Sequence, residues 1–175
     1  MHVPARMRRG VVAALGLVTA MTVSSACSAA SSEEAPPPPP KTGAGDPVLS
    51  GLSPCDALKP QQERSLGAAS GGTSEDVDDP STCSWQLADG STSVSLHPRK
   101  SLRQIDFPEA YQRPHAINDS GGRLVISKNS DTCTVAISVN PSESISVDAE
   151  GSGGTNSCDL ANEVAPLVER NIPES

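Results

Sequence analysis

The chain is 175 residues long and carries 21 acidic and 13 basic residues, a formal net charge of −8. Three of the cations, Arg6, Arg8 and Arg9, fall before Cys27 with no acid among them, so from Cys27 onward the balance is 10 against 21, or −11. That excess of carboxylates speaks against nucleic acid, whose affinity rests on Lys and Arg neutralising phosphates, and against a chain lying flat on anionic lipid.

Residues 1–26 read as an export signal. Arg6, Arg8 and Arg9 make the positive opening, residues 11–23 form an uncharged apolar run, and Ser24, Ser25 and Ala26 supply the small residues of a cleavage site. The run is too short to cross a bilayer, which takes about 20 apolar residues. The residue that follows is Cys27. A Cys behind small residues resembles the lipobox of bacterial lipoproteins, which implies a diacylglycerol on the Cys27 thiol, cleavage just before it and acylation of the new amino group. Ser24 stands where that family usually has an apolar residue, with Val23 one place early. The alternative is plain cleavage after Ala26, giving a secreted soluble protein.

Counting cysteines helps to choose. Cys55, Cys83, Cys133 and Cys158 lie in the later domain and can form two bridges; Cys27 is left over. An odd thiol in an exported protein needs an explanation, and lipidation supplies one. Two or more acyl chains anchor stably where one holds only marginally, at about 0.8 kcal/mol per buried methylene. Residues 27–49 are then the lipidated Cys and a tether. Pro36 to Pro40 favour polyproline II, a semi-rigid spacer of about 3.1 Å per residue.

Residues 50–175 suit one domain. With Trp85, Phe107 and Tyr111 the only aromatics, its core must come from Val, Ile, Leu and Ala. Leu52 to Leu58 suggest a short helical turn, and Pro60 suits the first position of a helix that stops at Gly67. Residues 68–80 read as a loop. Cys83, Trp85 and Leu87 alternate on a strand, Asp89-Gly90 signals a hairpin, and Thr92, Val94 and Leu96 return. Residues 98–122, broken by Pro108 and Pro114, read as irregular. Leu124 and Ile126 mark a third strand, and Cys133, Val135, Ile137 and Val139 a fourth. Ile145, Val147 and Ala149 mark a fifth. Asn156 or Ser157 caps a last helix carrying Leu160, Val164, Leu167 and Val168, which Pro166 should kink or split.

The fold expected is α+β: an antiparallel sheet of about five strands, with the N-terminal and C-terminal helices on its cysteine-bearing face. Four cysteines permit three pairings. The mirrored layout favours Cys55–Cys83 and Cys133–Cys158, each fastening a helix start to a strand. Each loop of some 25 residues would contribute roughly 3–4 kcal/mol by loop entropy.

Several pieces form a specific set: Cys27 and its tether, Ser53-Pro54-Cys55-Asp56-Ala57-Leu58, Pro60, Leu66-Gly67, Cys83-Ser84-Trp85, Gly121-Gly122, Cys133-Thr134-Val135, and Cys158-Asp159-Leu160-Ala161 with Leu167-Val168. The set resembles the actinobacterial lipoproteins grouped as domain of unknown function 3558, over most of residues 50–173. The resemblance implies export, anchoring and disulfides; the family has no assigned activity, so it adds nothing about chemistry.

No catalytic pattern stands out. Ser70 lies in Gly67-Ala68-Ala69-Ser70-Gly71, which is not the Gly-x-Ser-x-Gly spacing of a nucleophile elbow. His97 and His115 are the only imidazoles after the signal, and no nucleophile is marked out beside either. The acidic run from Glu75 to Asp79 lacks the glycine and distal Glu of a calcium loop, and no Cys-x-x-Cys spacing marks a metal site. The expectation is therefore a membrane-anchored binding or accessory module of the cell envelope, with no cofactor and no metal. Its partner would be an envelope protein or a small ligand. A surface hydrolase using His97 or His115 is the alternative.

Overall fold

Two alternating patterns, one apolar and one hydroxylic, build the sheet. The computed structural model describes residues 47–75 and 81–173. The signal, Cys27 and nearly all of the tether lie outside the described residues, as do residues 76–80, which include all of the acidic run but Glu75. The strands are β1 (Thr73–Glu75), β2 (Ser81–Leu87), β3 (Gly90–His97), β4 (Ala110–Ile117), β5 (Ser120–Ser127), β6 (Cys133–Asn140) and β7 (Glu143–Gly151). They form one antiparallel sheet in the order β1-β2-β3-β7-β6-β5-β4.

Register places one row of apolar residues straight across five strands: Cys83, Val94, Val147, Val135 and Leu124. The adjacent row on the same face runs Leu96, Ile145 and Ile137. Because side chains alternate along a strand, the other face carries Thr82, Ser95 and Ser146 in one row and Ser84, Ser93, Asp148 and Thr134 in the next. One face therefore makes the core and the other is lined by hydroxyls.

The sheet has seven strands, not about five. The two extra ones, β1 and β4, are its edges. β4 falls in the stretch expected to be irregular because it contains Pro114, and an edge strand is where a missing backbone donor is tolerated. It shows no alternation either: Tyr111 to Pro114 are all exposed.

The C-terminal element α2 (Ser157–Asn171) lies on the apolar face against β6 and β7. Asn156 caps it, its side chain accepting from the Cys158 and Asp159 amides. Leu160, Ala161, Val164, Ala165 and Val168 are buried, a stripe at helical spacing. One helix runs through Pro166, so of the kink or split expected at that residue the split does not occur. The buried residues on both sides of the proline hold the two halves to the same sheet face, which offsets one lost ladder bond.

At the N-terminal end, the helical turn expected at Leu52 to Leu58 is a 3-10 turn, Pro54–Ala57, preceded by a first 3-10 turn, Val48–Gly51, and followed by α1 (Pro60–Ser65). It is the second 3-10 turn that packs on β2 and β3; α1 buries none of its own residues. Its Glu63 reaches the sheet, accepting from Trp85 Nε1 at 2.6 Å. Helix α1 closes at Gly67, whose φ of +72° suits glycine. Cys55–Cys83 ties the second 3-10 turn to β2, and Cys133–Cys158 ties β6 to the start of α2.

Candidate functional site: a cleft beneath a strap

Strand order forces an unusual connection. β3 and β4 are consecutive in sequence, yet β7, β6 and β5 lie between them. Four inter-strand gaps amount to about 19 Å, and residues 98–109 must cross them. They do so over the hydroxyl face. Ser144 of β7 donates to the Lys100 carbonyl at 2.6 Å, Gln112 Nε2 of β4 donates to the Phe107 carbonyl at 3.4 Å, and the Lys128 amide donates to the Glu109 carbonyl at 2.9 Å. Within this strap Ser101 and Gln104 close a turn, the Gln104 side chain accepting from the Ser101 amide at 2.8 Å.

The strap accounts for burial on a face that would otherwise be open. Ser144, Ser146 and His97 are buried there, as are Val125 and Ala136, which stand outside the main core. Between the strap and strands β4 to β6 a cleft of about 610 Å³ remains. Leu102, Pro114 and Pro141 give it apolar walls, and Gln112, Ser138 and Asn140 give it polar atoms. Arg103 and Arg123 border it, while Arg113, paired with Leu124, projects from the opposite face, and no Asp or Glu is among the described residues lining it. Arg123 Nη1 donates to Gln112 Oε1 at 2.9 Å, so one side chain braces both the guanidinium and the strap.

The two histidines are apart. His97 ends β3 on the hydroxyl face, its Nε2 lying 3.2 Å from Ser146 Oγ. His115 is on the other face, with Nε2 2.8 Å from Asn162 Oδ1 of α2. Ser146 belongs to β7, which is paired on both sides. Its neighbouring amides are committed to the ladders rather than aimed at a developing oxyanion. Further along β7, burial pushes the Asp148 carboxyl above the ordinary carboxylate range; the Thr134 hydroxyl bonded to it opposes this, and Glu150 reinforces it.

Among the described residues no group of three or more His, Cys, Asp or Glu is placed to hold a metal ion, and no helix is long and apolar enough to cross a membrane. Cys27 lies outside the described residues. The cleft itself was hidden in the sequence, since its walls come from 101–103, 112–114, 122–123, 138 and 140–141. The cluster of cations between Arg99 and Arg123 was the one available signal.

Fold and site define an α+β domain clamped by two disulfides, with helices on one sheet face and a strapped cleft on the other. The family described as "Protein of unknown function (DUF3558)" matches residues 22–171, and the chain belongs to it. No curated protein and no solved structure matches the chain.

Proposed function

We propose that the protein is exported, anchored by lipid on Cys27, and works as a binding module of the cell envelope whose ligand site is the strapped cleft. The observation that carries this is the pairing of the four domain cysteines. Such bridges persist in oxidising compartments, and they leave Cys27 as the one cysteine without a structural use. The resemblance to actinobacterial lipoproteins supports the same reading. A concave site with apolar walls and a few converging polar groups is the usual form of a small-ligand pocket.

Membrane fractionation with intact-mass measurement tests the anchor. The expected result is a chain starting at Cys27, carrying acyl mass and two disulfides, found with the membranes; Cys27→Ser should lose both the mass and the membrane association. Recovery from cytosol with residues 1–26 attached and the domain thiols free would overturn the reading.

One contact favours a second reading, a hydrolase, because His97 and Ser146 are side by side. Both are only 6 % exposed, which weighs against substrate reaching the hydroxyl. Labelling of Ser146 by a fluorophosphonate, lost in His97→Ala, would establish that reading; an unlabelled protein removes it.

A further inference from the structure

We propose that the strapped cleft takes a small amphipathic anion, a single phosphate or carboxylate carried on an apolar body. This rests on the reading of the cleft as a ligand site and names its ligand class. The chain from Cys27 onward has ten cations, and five of them, Arg99, Lys100, Arg103, Arg113 and Arg123, fall within residues 98–123. Only Asp106, Glu109 and Asp119 oppose them there, so this stretch has a charge of +2 in a mature chain of −11. The strap and the β4–β5 hairpin thus gather positive charge on an acidic molecule.

The chemistry at the cleft points the same way. Two arginines, Arg103 and Arg123, border it from the strap and from β5, and among the described residues neither makes an ion pair with a carboxylate. The nearest acid along the chain to Asn140, Glu143, accepts a hydrogen bond from the Asn140 amide and turns its oxygens toward the Val48 and Leu49 amides. Arg123 uses one N–H on Gln112, and a guanidinium has five, enough for two parallel bonds to a carboxylate or phosphate. Gln112 is itself tied to the strap, so the guanidinium is held in place before a ligand arrives. Leu102, Pro114 and Pro141 would take an apolar body and have nothing to offer a bare ion.

The test is amide chemical-shift titration of the chain from residue 27 carrying Cys27→Ser, which removes any acyl contribution. Phenyl phosphate is the probe, benzyl alcohol the neutral control. Phenyl phosphate is expected to shift the Ser101, Arg103 and Gln112 amides saturably. Arg103→Gln and Arg123→Gln should each weaken it at least tenfold; Arg103 is exposed on the strap, so its loss does not threaten folding. Flotation with phosphatidylglycerol vesicles, against phosphatidylcholine, separates the sources. Flotation abolished by the same variants supports the proposal with a lipid headgroup as the ligand. Phenyl phosphate binding without flotation supports it with a free solute. No saturable shift, or unchanged binding in both variants, overturns the anion. If benzyl alcohol moves the same amides as strongly as phenyl phosphate, the anion inference falls while the cleft remains a binding site.

Discussion

Glu143 is 2 % exposed, and among the described residues no cation pairs with it. Its carboxylate is satisfied by three N–H donors instead. The Leu49 amide donates to Oε1 at 2.8 Å and the Val48 amide to Oε2 at 3.1 Å, and Asn140 Nδ2 also donates to Oε2. The side chain therefore staples the first 3-10 turn to the start of β7, across a sequence separation of 95 residues. Glu143→Gln keeps shape and volume but converts one oxygen to an amide donor. In its better orientation the remaining oxygen accepts from Val48 and Asn140, and the new NH₂ faces the Leu49 N–H. One bond is lost with its donor buried, at about 1–3 kcal/mol, and two charge-assisted bonds become neutral ones, at roughly 1 kcal/mol together. The sum, about 2–4 kcal/mol, is a large share of the 5–15 kcal/mol typical of a domain. Urea unfolding with the disulfides intact should show a midpoint about 1–2 M lower at unchanged slope. Asn140→Ala, which removes one donor of the three, should cost less. A Glu143→Gln midpoint indistinguishable from wild type would refute this account of the staple.

Three further outcomes follow from single contacts. Glu63→Ala leaves the indole N–H of Trp85 without its 2.6 Å acceptor and should cost about 1–3 kcal/mol; Trp85 is the sole tryptophan, so its emission follows the unfolding directly. Asp148 has a raised pKa through burial, so its charged form opposes folding. The stabilising protonation is full below the ordinary value of 3.8 and is lost as pH rises through the raised one. Asp148→Asn should thus melt higher than wild type at pH 7 and lose that advantage on acidification, by calorimetry across the range. Replacing Cys133 and Cys158 together by Ser removes a bridge spanning 25 residues and should cost about 3.5 kcal/mol by loop entropy, read by chemical denaturation.

What the chain revealed of its own fold divides along burial. The strands marked by Cys83, Trp85 and Leu87, or by Cys133, Val135 and Ile137, alternate because one face of each meets α2 or the 3-10 turns. β1 and β4 are edges, exposed on most positions, and no burial constraint writes a period into them. Asp89-Gly90 points to the right hairpin, although the loop residues are Ala88 and Asp89, with Gly90 already paired to Leu87. A side chain at Gly90 would strike the Glu150 carbonyl of β7, so its glycine serves the neighbouring strand. Pro166 misleads because helix continuity there is decided by the sheet beneath it. The two cysteine pairs were legible because each joins a helix start to a core-facing strand position. The cleft was not, because its walls meet only through the crossing of the strap.

That crossing makes a last prediction about local rather than global stability. Ser144 is fully buried and donates at 2.6 Å to the Lys100 carbonyl, pinning the strap where it leaves β3. Ser144→Ala removes one neutral hydrogen bond, a net of about 1 kcal/mol. Because β7 is held by ladders on both sides, the loss should fall on the strap's own opening equilibrium. The Gln104 amide, bonded to the Ser101 carbonyl at 2.9 Å, reports that opening. Its hydrogen-exchange protection should fall roughly fivefold, since about 1.4 kcal/mol is tenfold. The Val147 amide in the centre of β7 should exchange only by global unfolding and change less. Equal loss at both would mean that the strap opens only when the sheet does; no loss at Gln104 would mean that Gln112 and Lys128 hold the strap without Ser144. Either result would refute the claim that this hydroxyl sets the strap's stability.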